Sequence, residues 1–142
     1  QQLAKLDDMN QIRLKYAKYL IENLSQFSQH LQIPIENTEY NVNTFYSFPI
    51  IIKKNTKIQR KNLTRYLESN GIETRAIMCG TLPDQPSLCN EIGIEYGELT
   101  QSRYIRDNGF FIGCHPCLEE DDLKHVVKTI TNYFKQQGDI LQ

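Results

Sequence analysis

Apolar side chains recur at intervals of three and four residues through the first part of the chain. They run from Leu3 to Leu31 and stop before Pro34. This spacing predicts one long amphipathic helix over residues 1–33. A mean helix has about 11–12 residues, so we expect this longer one to pack against more than a small domain offers.

Two apolar segments with strand character follow a polar connection. Residues 44–52 are rich in aromatic and β-branched side chains and predict a strand, in which Pro49 indicates a sheet edge or a bulge. Residues 72–79 predict a second strand. The segment between them has helical periodicity and ends at Gly71, a residue typical of a left-handed helix stop. The order is therefore β-α-β.

The second half of the chain continues this alternation after a loop. Residues 80–86 contain two prolines and a glycine, which predicts a loop, and residues 87–92 predict a short helix. A helix over 100–108, a third strand over 110–115 and a last helix over 119–137 complete the pattern. The predicted class is α+β, an α/β sandwich, with a β-α-β unit, a loop with short helices, and a β-α unit.

Composition narrows the possible functions. The 142 residues include 16 Lys and Arg against 17 Asp and Glu, and this balance argues against a general binder of nucleic acids or membrane surfaces. A mean hydropathy of −0.52 predicts a modest core, or one that another segment or chain completes. The first residue is not Met and lies within a predicted helix, so we expect a piece of a longer protein. Four cysteines are too few for a secreted disulfide scaffold and favour reduced thiols in a cytoplasm.

Two patterns could bind other groups. Cys114 and Cys117 have the spacing of a redox site or of half a zinc site, although Cys79 and Cys89 are poorly spaced to complete one. We interpret this pair as part of a strand-to-helix turn. A Cys-x-x-Cys metal or redox domain remains an alternative.

A basic run over 53–65 holds six positive charges, of which Lys57, Lys61 and Arg65 share a helical face that could meet phosphates. Together with the strand order, this run leaves a stand-alone ferredoxin-like RNA-binding module as a second alternative. The aromatic residues of 108–112 only weakly match the base-stacking motif of such modules, and we expect them to serve a core or a substrate wall.

One charged residue lies within an apolar strand. Arg75 interrupts residues 72–78, where a charge is unfavourable unless it is paired. We expect a partner carboxylate or phosphate, or else a position at a sheet edge that faces water. The His125–Lys128 spacing precedes a Schiff-base lysine in some cofactor enzymes. Here it lies on a regular helix, and we interpret Lys128 as a surface residue.

Taken in order, these segments resemble the C-terminal part of the DegT/DnrJ/StrS family of sugar aminotransferases and dehydrases, which depend on pyridoxal 5'-phosphate (PLP) or pyridoxamine 5'-phosphate (PMP). Within that family they look most similar to the 3-dehydrase-like members of lipopolysaccharide biosynthesis. The matching segments are Gln2–Asp7 with Arg13, Arg60–Leu63, Leu67–Arg75, Cys79–Leu82, Gln85–Pro86, Ile105–His115 and Leu118–Asp121.

The resemblance implies the small C-terminal domain of a fold type I enzyme. Residues 1–33 would form the interdomain helix and residues 34–142 the small domain. The substrate would be a nucleotide-linked 4-keto-6-deoxy sugar, and the full-length enzyme would be a homodimer. The Schiff-base lysine, or the histidine that replaces it in dehydrases, would lie in a large domain outside this chain. The chain alone would then be inactive.

The resemblance also implies a set of substrate-binding residues. They are Arg75, Gly80, Thr81, Gln85, Asn108, Phe110, Phe111 and His115. Arg75 would pair with an anionic group such as the diphosphate, and Asn108 and Thr81 would hold sugar hydroxyls. One of the two phenylalanines would wall the sugar pocket. The histidine would form a hydrogen bond there or cap the strand.

Overall fold

A computed structural model describes residues 3–40, 42–77, 81–86 and 97–138. The helices and strands are α1 Leu6–Leu24, β1 Leu31–Gln32, β2 Ser47–Ile52, α2 Arg60–Ser69, β3 Thr74–Ala76, α3 Thr100–Asn108, β4 Gly109–Gly113 and α4 Glu120–Gln136. None of the described helices is long and apolar enough to cross a membrane.

The four strands form one sheet in the order β1-β2-β4-β3. Each neighbouring pair is antiparallel. Because β4 is antiparallel to both of its neighbours, β2 and β3 run parallel to each other with β4 between them. The β-α-β order predicted from the sequence is confirmed as a split unit, and the class is α+β.

The core lies between one face of this sheet and the helices. In β2, buried residues alternate with half-buried ones, and the buried set is Phe48, Ile50 and Ile52. Phe48 is paired with Ile112, and Ile50 is paired with Phe110. Helices α1, α2 and α4 cover this face with the buried side chains Ala17, Leu20, Leu24, Leu63, Leu67, Leu123, Ile130, Tyr133 and Phe134. Burial of each large apolar side chain contributes about 1.5–3 kcal/mol to stability.

The first helix is shorter than predicted. Helix α1 ends at Leu24 and passes into a 3-10 turn over Ser25–Phe27, and Leu31 lies in β1, paired with Ile52. The Ser25 hydroxyl and the Gln26 amide donate to backbone carbonyls three residues earlier, at 2.8 and 2.7 Å. Such side-chain bonds compete with helix continuation. The apolar residues keep a helix-like spacing as far as Leu31, although the sheet and not a helix buries this last side chain.

Several other predicted boundaries shift by a few residues. The second strand is shorter than 72–79 and spans Thr74–Ala76, and the short helix predicted over 87–92 lies outside the described residues. Gly71 has a φ of +81°, which confirms the left-handed stop after α2. Pro49 lies in the part of β2 that pairs with β4 but not with β1, so no β1 residue requires a backbone donor at this position.

Helix α4 begins as its acidic first turn suggests. Glu119 is the N-cap, and its backbone N–H donates to the Asp122 carboxylate at 2.8 Å in a reciprocal capping box. This arrangement sets the direction in which α4 leaves the end of β4.

The junction of α3 and β4 requires glycine. A Cβ atom at Gly109 would lie 2.5 Å from the carbonyl oxygen of Ile105 and 2.5 Å from Cδ1 of Ile77, whereas a Cβ at Gly113, in the same strand, would meet nothing within 4 Å. We therefore expect Gly109→Ala to lower the free energy of unfolding by about 1–3 kcal/mol in a chemical denaturation experiment.

The matched control is Gly113→Ala, which we expect to change the same quantity by less than about 0.5 kcal/mol. Equal effects of the two substitutions would contradict the close packing described at Gly109.

Candidate functional site

The second face of the sheet carries the candidate site. Four side chains of β2 and β4 point into the core, namely Phe48, Ile50, Phe110 and Ile112. Their neighbours along the strands therefore point to the opposite face. Phe111 is paired in register with Arg75 on one side and with Pro49 on the other, and it is half-buried. This face is therefore apolar at its centre and charged at the β3 edge.

A broad cavity of about 1070 Å³ extends along this edge to the end of β4. Its lining includes three of the predicted substrate-binding residues, Arg75, Phe111 and His115. Arg13, Tyr46 and Ser47 also line it, from α1 and from the start of β2. The fold thus brings together residues that are distant in sequence and differ in chemistry: cations, hydroxyls and an aromatic ring.

Arg75 lies at the sheet edge and has a carboxylate partner. Its Nε and Nη2 atoms donate to Oε1 of Glu73 at 2.9 and 2.6 Å. The Arg75 and Glu73 side chains are 68% and 74% exposed. An ion pair this exposed contributes at most about 1 kcal/mol, so a stronger anion can replace Glu73 at modest cost.

His115 offers a donor to the cavity. Its Nδ1 atom accepts a hydrogen bond from the backbone N–H of Cys117 at 3.1 Å. A neutral imidazole that accepts at Nδ1 carries its proton on Nε2. The exposed ring therefore presents its Nε2–H group as a donor.

Arg13 is a cavity residue that the site prediction did not include. Its Nη1 atom donates to Oδ1 of Asn10 at 3.4 Å, and its buried Nε has no hydrogen-bond partner among the described residues. Arg13 was recognised in the sequence only as part of a family-like segment. Spacing along α1 gives no sign that it reaches the same cavity as Arg75.

The other predicted site residues lie elsewhere. Phe110 is 1% exposed and belongs to the core, and Asn108 donates from its side chain to the Tyr104 carbonyl within α3, at 3.1 Å. Thr81 is 2% exposed, and its hydroxyl has no partner among the described residues. Gln85 is half-buried in the same loop, and Gly80 lies outside the described residues. The described part of the structure does not place these residues in the lining of the cavity.

An ion-pair network holds the loop of Thr81 and Gln85 against α3. The Asp84 carboxylate accepts from Nε and Nη2 of Arg103, both at 2.9 Å, and from Nη1 of Arg106 at 2.6 Å. Chiefly because Arg103 donates to it, the pKa of Asp84 falls to about 2. The site prediction did not include this network, because no local pattern pairs an aspartate with arginines about twenty positions away.

The basic run over 53–65 divides into two parts. Arg60 donates from Nη1 to the carbonyls of Arg106 and Gly109, at 2.8 and 3.2 Å, and so caps the end of α3. Lys57, Lys61 and Arg65 are exposed, as a solvated face would be. The burial of Phe110 also removes one of the two rings that an RNA-binding strand would need.

The two described cysteines differ in environment. Cys114 is buried, its thiol donates to the Arg13 carbonyl at 3.6 Å, and burial raises its pKa to about 11. Cys117 is exposed, and the two form no disulfide. Since metal binding and thiol redox chemistry both require a thiolate, this environment disfavours them at Cys114. Cys79 and Cys89 lie outside the described residues.

Solved structures of PLP-dependent sugar enzymes share this fold. An E. coli GDP-4-keto-6-deoxy-D-mannose-3-dehydratase with bound hydrated PLP aligns with a TM-score of 0.79 and 26% identity, over 90% of this chain and 32% of that one. A ColD variant with bound GDP-perosamine aligns with a TM-score of 0.70 and 28% identity, over 91% of this chain and 33% of that one.

Sequence comparison identifies the family. The model of the DegT/DnrJ/EryC1/StrS aminotransferase family matches residues 1–131, and the chain therefore belongs to that family. It is 30% identical over 133 residues to the lipopolysaccharide biosynthesis protein RfbH of Salmonella typhimurium, covering 94% of this chain and 30% of RfbH. It is 30% identical over 137 residues to the GDP-4-keto-6-deoxy-D-mannose 3-dehydratase of Yersinia pseudotuberculosis, covering 96% of this chain and 33% of that enzyme. The chain thus spans about a third of the length of these relatives.

The Asp84 network predicts a specific acid sensitivity. In an unfolded chain the carboxyl has a pKa near 3.8, and in the folded chain this falls to about 2. A lowered folded-state pKa stabilises the fold above the unfolded value, and this stabilisation disappears as the pH falls from about 4 to 2. We expect Asp84→Asn to reduce the loss of stability over this pH range, as measured by urea unfolding at its two ends.

Glu22→Gln is the control, because Glu22 is exposed on α1 and forms no ion pair with the described residues. An acid dependence that is the same in Asp84→Asn and in the unsubstituted protein would show that Asp84 does not contribute.

Proposed function

We propose that this chain is the C-terminal small domain of a PLP- or PMP-dependent enzyme that aminates a nucleotide-linked 4-keto-6-deoxy sugar or removes its 3-hydroxyl, in lipopolysaccharide or O-antigen biosynthesis. The observation that carries the proposal is the family match over 1–131 together with the open, cation-edged face of the sheet. The relatives RfbH and GDP-4-keto-6-deoxy-D-mannose 3-dehydratase support the substrate class. In the whole protein we propose a cytoplasmic homodimer.

The chain does not itself provide the cofactor's covalent anchor. A Schiff-base lysine is activated by desolvation or by a nearby cation. Every lysine of this chain lies within the described residues and is exposed, Lys128 included. None of these lysines therefore has the environment of an activated Schiff-base lysine, and we propose that a part of the enzyme outside this chain anchors the cofactor. The chain alone is then inactive.

The contribution of this chain is to shape and charge the substrate side of the site. Phe111 gives the cavity an apolar wall, and Arg75 and His115 present donors beside it. We propose that Arg75 binds the anionic part of the substrate. On the basis of the resemblance we also propose substrate contacts for Gly80, Thr81, Gln85 and Asn108. Phe110 is buried in the core, so we assign the role of pocket wall to Phe111.

A direct test compares the full-length protein with the 142-residue chain. We expect the full-length protein to show the absorbance band of bound PLP or PMP and to convert a nucleotide-linked 4-keto-6-deoxy sugar, because the cofactor supplies the electron sink for either reaction. The isolated chain should show neither property. Mass spectrometry of the product distinguishes an introduced amine from a lost hydroxyl. A full-length protein without cofactor and without turnover would refute the proposal.

Arg75 provides the test of the site. In the full-length enzyme we expect Arg75→Ala to lower kcat/KM by about tenfold or more, since a charge-assisted hydrogen bond to the substrate contributes about 1.5–3 kcal/mol. The melting temperature should barely change, because the Arg75–Glu73 pair is exposed.

Arg65→Ala is the matched control for this measurement, because Arg65 is an exposed arginine on α2 outside the cavity lining. If the kinetics of Arg75→Ala equal those of this control, Arg75 is not a substrate residue.

A further inference from the structure

We propose that Arg13 joins Arg75 in a two-arginine site within this cavity, and that the site binds the diphosphate bridge of the nucleotide sugar. This inference rests on the proposed function and adds Arg13 to it. The two arginines are 62 positions apart in the sequence, and both line the same cavity.

The Arg13 guanidinium has few hydrogen-bond partners among the described residues. A guanidinium has five N–H donors. The described residues occupy one of them, at 3.4 Å, and leave the buried Nε unpaired. No salt bridge among the described residues includes Arg13. A partly buried cation without an anion is unfavourable, and an oxyanion in the cavity would remove that penalty.

The described residues around Arg13 provide no substitute anion. Cys114 donates its thiol proton to the Arg13 carbonyl, and with a pKa raised to about 11 it stays neutral at pH 7. Among the described lining residues the single carboxylate is Glu73, which Arg75 already engages at 2.6 Å. The described lining, with two arginines and one carboxylate, therefore has a net positive charge.

The neutral side chains of the lining complete a set of donors. His115 presents its Nε2 proton, and two residues with hydroxyl groups, Tyr46 and Ser47 at the start of β2, line the same cavity. Tyr46 is 77% exposed, so its hydroxyl can turn toward a ligand. A described lining with two arginines and a single carboxylate, which is already paired, favours an oxyanion. A diphosphate has two phosphoryl groups, so each arginine can pair with a separate group.

Two sources of phosphate are possible in such an enzyme, the substrate's diphosphate and the cofactor's phosphomonoester. The test is a calorimetric titration of the full-length protein with inorganic pyrophosphate, and separately with pyridoxamine phosphate, at constant ionic strength. We expect Arg13→Gln to weaken pyrophosphate binding by about tenfold or more and to leave pyridoxamine phosphate binding within about twofold.

Two further variants separate the role of Arg13 from its contribution to folding. Arg13→Lys keeps the charge but loses the guanidinium fork, and we expect intermediate affinity for pyrophosphate. Arg65→Gln removes an exposed arginine outside the cavity and should leave the affinity unchanged. Thermal unfolding of each variant shows that the titrated protein is folded.

The outcomes distinguish this inference from the proposed function. Unchanged pyrophosphate affinity in a folded Arg13→Gln variant would overturn the inference even if the enzyme turns over its sugar. A selective loss of pyridoxamine phosphate binding would also overturn it, since the site would then belong to the cofactor. Arginine-dependent pyrophosphate binding in a protein without cofactor or turnover would sustain the site and refute the proposed enzyme.

Discussion

The register between β2 and β4 determines what each face of this domain can do. Pairing Phe48 with Ile112 and Ile50 with Phe110 directs all four side chains into the core. The same register places Phe111 on the opposite face, beside Arg75. A slip of one residue would exchange the two faces, because side chains alternate along a strand. The cavity therefore depends on the hydrophobic pairing behind it.

Helix α1 connects the core to the cavity. Its C-terminal half supplies Ala17, Leu20 and Leu24 to the core, and one turn before Ala17 it presents Arg13 to the cavity. The Tyr16 hydroxyl donates to the Leu118 carbonyl, and the Cys114 thiol donates to the carbonyl of Arg13 itself. These contacts fix α1 against the end of β4, so the packing that stabilises the domain also positions the second arginine.

The sequence pattern predicted those elements that depend on interactions between residues close together in the sequence. The alternation of β2, the left-handed stop at Gly71 and the apolar stripe of α4 each depend on residues a few positions apart. The sequence pattern did not predict the end of α1. The spacing between Phe27 and Leu31 suits a helix, but Leu31 is buried as part of a strand. Which of Phe110 and Phe111 enters the core depends on the register of β4 with β2, a strand about sixty residues earlier in the sequence.

Family resemblance predicted part of the site, because it assigns roles to individual residues. It pointed to Arg75, Phe111 and His115, which do line one cavity. It could not show that Asp84 binds two arginines of α3, or that the Nε of Arg13 has no partner among the described residues, because both facts arise from tertiary packing. Unsatisfied polar atoms are visible only once the neighbours are known.

A crystal structure of the full-length protein with a bound nucleoside diphosphate sugar tests directly whether the open face of the sheet binds substrate through Arg13 and Arg75. We expect the ligand to occupy the open face of the sheet, with its diphosphate between Arg13 and Arg75 and with the contact between Arg75 and Glu73 broken or lengthened. A ligand bound away from this face, with Arg75 still paired to Glu73, would contradict this expectation.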